Sequence, residues 1–335
     1  MKACVLKANG IIEYEDVKTP SPKNDEVLIK IEACGICSSD YNRVHRNGAY
    51  FYPIILGHEF VGEIVKTGED IDKEYIGEKV VVFPLLPCNE CEFCKRKMYA
   101  QCKNYKYFGS RNNGGMAEYI AVPLWNTKII PKDMKPEIAA LCEPAAVALH
   151  SVNKIEDIKN KSICISGSGT IGILCGLVIK TLNPDITFVL RNNNKIDFLK
   201  NLGFKKFIQE KNENEYDIVI ECVGSETSVN NSVKLVKSGG TIILVGNPEG
   251  NICFDKKLYW KILRSEIVIK GVWNSSYKNC KKDDWDKAIE FLYKNQTICE
   301  KLITNKFYLK DCTKAFDEKN INSKIRLKGV FINEE

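Results

Sequence analysis

The sequence predicts an α/β protein made of a β-rich part and a doubly wound parallel sheet. Three observations carry this. Between about residues 151 and 285, apolar strand runs alternate with helical stretches, which implies βαβ units and a parallel sheet. Gly167, Gly169 and Gly172 stand between one such run and an apolar helix in the spacing G-x-G-x-x-G. A chain of 335 residues is too long for one ordinary core and suits two domains.

Residues 1–150 are expected to form the β-rich domain. The segments EVLIKIEAC, VGEIVKTG and GEKVVVF alternate apolar and polar residues, as strands with one buried face do. Residues 151–285 carry the strand runs SICISG, DITFVL, YDIVIECVG and GTIILVG, separated by helical stretches such as NKIDFLKNLG and SVNNSVKLVKS. From about 286 the chain has a helical segment, DWDKAIEFLYKN, and a strand-like GVFIN. This tail, 286–335, is expected to return to the first domain.

Composition excludes several classes. The apolar fraction is 44% and the charged fraction 27%, ordinary for a globular protein. No 18-residue apolar run is present, so no membrane span is expected. The first residues, MKACVLKANGIIEYED, lack the apolar core of a secretion signal, and a cytoplasmic location is expected. The net charge of +6 comes from dispersed lysines without a block of like charges, a pattern of solvated surface and not of nucleic-acid binding. The fifteen cysteines are therefore expected to be reduced; Cys164 and Cys175 lie in apolar runs and read as small core residues.

Cys88, Cys91, Cys94 and Cys102 crowd one loop, PCNECEFCKRKMYAQC. Three cysteines at two-residue intervals point to a metal knuckle more than to disulfide pairs. Four thiolates close a tetrahedral zinc sphere and leave no open position, so this zinc would be structural. Elsewhere GICSSD supplies Cys37, Ser39 and Asp40, LGHEF supplies His58 and Glu59, and LCEPAAVALH supplies Glu143. A thiolate, an imidazole and a carboxylate (Cys37, His58, Glu143) are the donor types of a catalytic zinc with a fourth position open.

In the glycine motif, Gly167 allows the tight turn and Gly169 lets backbone approach a pyrophosphate. Gly172 allows close helix packing. Thr170 and Ile171 open the helix whose free N–H groups would hold phosphate. About twenty residues on, where an acidic residue would bind the adenosine ribose of NAD, stand Arg191 and Asn192. An arginine there suits a 2′-phosphate, so the cofactor expectation leans to NADP(H).

Taken together, GICSSD, GHE, the four-cysteine loop, the EP pair and GSGTIG resemble the zinc-dependent medium-chain dehydrogenase/reductase family over nearly the whole chain. The segments NGAYFYPIILGHEF, FGSRNNGGMAEYI and KILRSEIVIKGVW resemble its polyol-phosphate branch, whose type reaction takes galactitol 1-phosphate to tagatose 6-phosphate. The resemblance implies a GroES-like catalytic domain and a Rossmann domain with the site in the cleft between them. It implies two Zn2+ per chain, catalytic zinc on Cys37, His58 and Glu143, and Glu59 close behind the metal. Asp40 would orient His58, and Ser39 would accept the substrate proton while hydride passes to nicotinamide.

Relatives carry a relay histidine just after the aspartate; here Tyr41 and Asn42 stand there, with His45 as a possible substitute. If Cys142 lies in an extended segment, its side chain should point away from that of Glu143. A phosphorylated substrate needs a cation, for which Arg43, Arg46 and Arg111 are candidates, with Tyr50, Tyr52 and Trp273 as pocket walls. The expected partners are a small polyol or its phosphate and a second copy of the chain, as a homodimer or homotetramer formed through the Rossmann sheet edge. No nucleic acid or membrane partner is expected. Rival readings are a ribulose-5-phosphate reductase, a free-polyol (sorbitol-like) or threonine dehydrogenase, and a non-catalytic zinc protein.

Overall fold

The computed structural model describes residues 1–183, 185–209, 215–248, 250–279, 282–317 and 327–333. The chain forms two compact units, Met1–Glu143 with Ser276–Glu335, and Pro144–Ser275. The boundaries fall earlier than the expected 150 and 285. The tail re-enters the first unit at 276 because Tyr277 and Trp285 are anchors there. Tyr277 stacks on Phe83 with ring centroids 4.3 Å apart, and Trp285 meets both rings edge-on. Lys128 is clamped by Asp283 and Asp286 at 3.2 and 2.9 Å.

The first unit is built on a seven-stranded sheet whose spine is the strand Glu26–Ile36. On one side it pairs with Glu59–Thr67, on the other with the tail strand Lys328–Ile332. The tail strand therefore belongs to the first unit. Alternation explains the burial: Val27, Ile29 and Ile31 face the core, where 25 cal/mol per Å2 or so of apolar burial holds the sheet. The register of these three strands also assembles a site. Gly35 lies opposite Glu59 and Ile36 opposite Gly329, so Cys37, His58, Glu59 and Lys328 emerge at one end.

The second unit is a six-stranded parallel sheet. Its strands, in spatial order, are Lys206–Gln209, Ile186–Leu190, Ile163–Ser166, Tyr216–Glu221, Val236–Leu244 and Val268–Gly271. Numbered along the unit this is 3-2-1-4-5-6, the doubly wound dinucleotide-binding order. The strand runs and helices expected here are present, with helices at Thr170–Lys180, Ile196–Asn201 and Glu226–Leu235. No helix among the described residues is long and apolar enough to cross a membrane.

Candidate active site

In the first unit, Cys37 is the N-cap of the helix Ser38–His45. Its sulfur accepts from the Asp40 backbone N–H while the Asp40 carboxylate accepts from the Cys37 N–H at 3.0 Å. This reciprocal cap fixes the sulfur and Asp40 together. Cys37, His58 and Glu59 bring one donor atom each within 4.8 Å of one another. Glu143 is not in that tight group. It sits in the first turn of the helix Cys142–Val152, where the Tyr107 hydroxyl donates to it at 3.2 Å. The segment is helical, not extended as expected for Cys142, because Pro144 is tolerated in a first turn.

Asp40 is fully buried and faces His58 Nδ1 across 3.6 Å, beyond hydrogen-bond reach. Among the described residues, neither Asp40 Oδ1 nor His58 Nδ1 has a hydrogen-bond partner. Burial works against charge on both groups. Even so, their mutual attraction, with Arg43 beside Asp40, holds the Asp40 carboxyl below its ordinary range and His58 well above its own. Burial and the neighbouring Glu59 push the Glu143 carboxyl up to about 7, against the pull of His58 and Lys328. Burial and Glu143 together raise the Tyr107 phenol.

A sequence reading misses Lys328. Its ammonium donates to both Glu59 oxygens at 2.8 and 2.6 Å and to the Ile36 carbonyl at 3.3 Å. Burial opposes its charge, and Glu59 more than compensates, raising it. Gly35 makes the room: a Cβ there would lie 2.2 Å from Glu59 Oε2. The donor set fits a divalent cation. Cys37, His58 and Glu59 offer a sulfur, an imidazole and a carboxylate, and among the described residues two buried polar atoms, Asp40 Oδ1 and His58 Nδ1, lack a partner.

The four-cysteine loop fits zinc by distance. Cys91 and Cys94 sulfurs are 3.6 Å apart, Cys88–Cys94 and Cys91–Cys102 both 3.9 Å. Sulfurs about 2.3 Å from one zinc lie about 3.8 Å from each other in a tetrahedron. N–H groups of Cys94 and Lys103 draw the Cys91 thiol down to about 6. The described cysteines are all free of disulfides.

In the second unit, a cleft of about 660 Å3 is lined by the glycine turn, Leu190, Arg191, Asn192, Lys195 and Val223. Gly167 has φ +107°, a conformation that favours glycine, and a Cβ on Gly172 would lie 2.0 Å from the Gly167 carbonyl. A Cβ on Gly169 would meet nothing within 4 Å, which leaves the open approach a pyrophosphate needs. Gly169 is the N-cap of the helix that begins at Thr170 and Ile171. Arg191 is exposed at the rim, and the Asn192 side chain accepts from the Asn194 N–H. Lys195, a residue the sequence reading did not single out, donates to the Ser168 carbonyl at 3.0 Å. Burial lowers its pKa.

The remaining candidates divide. Arg111 is sandwiched between the rings of Tyr50 and Tyr105, 4.4 Å from each centroid, and donates to the Tyr50 hydroxyl. Tyr105 meets Tyr107, and Tyr107 meets His58, so aromatic contacts run from Arg111 to His58. Arg43 is committed to Ser39, whose Oγ accepts from its guanidinium at 3.0 Å. The His45 Nε2 is taken up by the Phe316 carbonyl, 2.6 Å away. Arg46 is exposed past the helix end, Tyr52 hydrogen-bonds the Ala49 N–H, and Trp273 is an exposed residue of the second unit.

Comparisons with known proteins agree with this geometry. The family model for the alcohol dehydrogenase GroES-like domain matches residues 23–132, and that for zinc-binding dehydrogenase matches 170–294. Galactitol 1-phosphate 5-dehydrogenase of Escherichia coli K12 is 32% identical over 91% of this chain and 92% of its own. The crystal structure of galactitol-1-phosphate dehydrogenase from Escherichia coli superposes with TM-score 0.90 at 30% identity, covering 99% of this chain and 100% of that one. A putative zinc-binding dehydrogenase from Sinorhizobium meliloti 1021, bound to NADP, gives TM-score 0.88 at 25% identity over 99% and 98%.

Proposed function

The chain belongs to the zinc-dependent medium-chain dehydrogenase/reductase family, an alcohol and polyol dehydrogenase lineage, and on that footing we propose that it oxidises a secondary alcohol of a polyol phosphate. Galactitol 1-phosphate to tagatose 6-phosphate is the leading reaction. The observation that supports a phosphate ester is Arg111. Two tyrosine rings hold its guanidinium in place, and the ring contacts link it to His58. A fixed planar fork is the preferred partner of a phosphate dianion.

Cys37 and His58, with Glu143 or Glu59, would hold the catalytic zinc, and Cys88, Cys91, Cys94 and Cys102 a structural one. Zinc bound at the first site supplies a Lewis acid that favours the ionised form of an alcohol. The chain's own groups do the rest. Asp40 orients the His58 ring. Lys328 holds the Glu59 carboxylate. Tyr107 covers Glu143 and keeps water from it. Ser39 takes the proton of the substrate hydroxyl and passes its own onward. A nicotinamide cofactor, which Gly167, Gly169 and Arg191 would hold, would supply the hydride acceptor.

Arg191 and Lys195 beside the adenosine end of the cleft favour a 2′-phosphate, hence NADP(H). That feature favours the second reading, reduction of ribulose 5-phosphate to ribitol 5-phosphate. The exposed edge strand Val268–Gly271, with Val268 and Ile269 outward, suits a homodimer or homotetramer. The test is steady-state kinetics with galactitol 1-phosphate, ribulose 5-phosphate and the free polyols, each with both cofactors. The expected result is a kcat/KM for the ester at least tenfold above that for the polyol, a margin that Arg111→Ala abolishes. Equal use of polyol and ester by the unaltered enzyme would refute the phosphate reading.

A further inference from the structure

The helix Ser38–His45 carries a pair that the reaction has not yet used. Ser39 and Arg43 are four residues apart, on one helix face. Arg43 Nη1 donates to Ser39 Oγ at 3.0 Å and lies 3.7 Å from Asp40 Oδ1. Its side chain is only 20% exposed, so the guanidinium is not a solvated surface charge. The other groups that could have served Ser39 are occupied elsewhere. Tyr41 donates to the Ala315 carbonyl at 3.0 Å, and the His45 ring is on the Phe316 carbonyl. Asn42 has no titratable group.

The geometry points to Arg43 as the positioning residue for Ser39, in place of a relay histidine. This rests on the proton path through Ser39 proposed above. A hydroxyl has one hydrogen to give and two lone pairs to accept with, and a guanidinium only donates. Arg43 fills one lone pair of Ser39 Oγ. The Ser39 O–H therefore points away from Arg43, and one lone pair stays open for an incoming proton. The substrate O–H bond breaks as Ser39 Oγ gains that proton, and the original Ser39 proton leaves along its outward O–H. No net charge stays on the serine. Arg43 cannot end a relay, since a guanidinium only donates and has no acceptor for the proton. The proton must go from Ser39 to the cofactor ribose or to water.

The same contact tells against Arg43 as the ligand of a substrate phosphate, and the two roles separate kinetically. Arg43→Gln, Arg43→Lys, Ser39→Ala and the Arg43→Gln/Ser39→Ala double variant would be assayed on the ester and the free polyol. Zinc content and NAD(P)H affinity by fluorescence would be measured alongside. Positioned proton transfer contributes about 100- to 10,000-fold; losing the orientation but keeping the serine should cost the lower end of that range, roughly 100-fold in kcat. The loss should be equal for both substrates, with KM, zinc content and cofactor affinity within about threefold of the parent, the spread of an unperturbed site. Arg43→Lys should recover part of it, and the double variant should be no slower than Ser39→Ala.

A rise in KM confined to the ester would make Arg43 a phosphate ligand and overturn the inference. So would additive losses in the double variant, weakened cofactor binding, or unchanged kcat. If the unaltered enzyme turns over a different alcohol, the substrate reading fails while the same four variants, assayed on that alcohol, still decide the role of Arg43.

Discussion

Lys328 offers the sharpest energetic test, because it is a lysine with a side chain 4% exposed whose partner, Glu59, is 1% exposed. Its ammonium reaches both carboxylate oxygens, 2.6 and 2.8 Å away. Removing one member of a buried pair leaves an unpaired charge and costs roughly 3–5 kcal/mol, whereas replacing both with apolar side chains is often near neutral. Lys328→Met should therefore destabilise by about 3 kcal/mol or more, and Glu59→Met by a similar amount. The Lys328→Met/Glu59→Met pair should cost little by itself, so the double-mutant cycle gives a coupling close to the sum of the two single losses, about 5–6 kcal/mol.

For a unit of this size, about 2–4 °C per kcal/mol places the single variants roughly 6–12 °C below the parent in their first thermal transition. Calorimetry on the zinc-loaded protein and again in EDTA checks this, the second run excluding a freed Glu59 carboxylate that finds the metal instead. Costs of the two single changes that simply add, with a coupling under about 0.5 kcal/mol, would refute the claim that the two charges hold each other.

Two further outcomes follow from the same reasoning. Cys94→Ser should lower the zinc content from two ions per chain to one and leave Cys37 and His58 loaded, as mass spectrometry of the metal content would show; two ions retained would mean that the cysteine loop holds none. Lys306 pairs with Glu137 at 2.7 Å and, against the opposing effect of burial, holds that carboxyl below its ordinary value. A depressed carboxyl stabilises the fold above its unfolded pKa of about 4.3 and loses that contribution as pH falls through the folded value. Lys306→Met should thus cost about 0.5–1 kcal/mol at pH 7 and close to nothing at pH 3, by urea unfolding; a pH-independent cost would contradict the pairing.

What a sequence shows depends on how far the information must travel. The turn from Ile163–Ser166 into the helix Thr170–Lys180 is local, and apolar runs with three glycines between them state it outright. The cysteine loop is local too, and its spacing alone gives four sulfurs at tetrahedral distance. Lys328 is the opposite case. It meets Glu59 only because the tail strand pairs with Glu26–Ile36 in one register and Glu59–Thr67 pairs on the other side in another. Nothing near residue 328 states that register, and a slip of one residue would turn the ammonium to the opposite face. One signal was available: a lone lysine entering the apolar run GVFI is costly to bury unless an acid awaits it.

The same distinction explains Glu143 and Arg43. A carboxylate in CEPAAVALH suggests a ligand, but whether it closes on the metal depends on a helix start and on Tyr107, which is 36 residues away. The register delivers Glu59 to the sulfur and the imidazole, with Lys328 behind it. Arg43 was within reach of sequence reasoning, since four residues along a helix put it over Ser39. Charge beside an expected phosphate site also reads as a substrate contact. The helix geometry assigns that charge to the serine first. A site built from strand ends thus has its ligands set by long-range register and its proton chemistry set by one turn of helix. Changes at Gly35 or Lys328 should therefore disturb the metal group, and changes at Arg43 the rate, without crossing over.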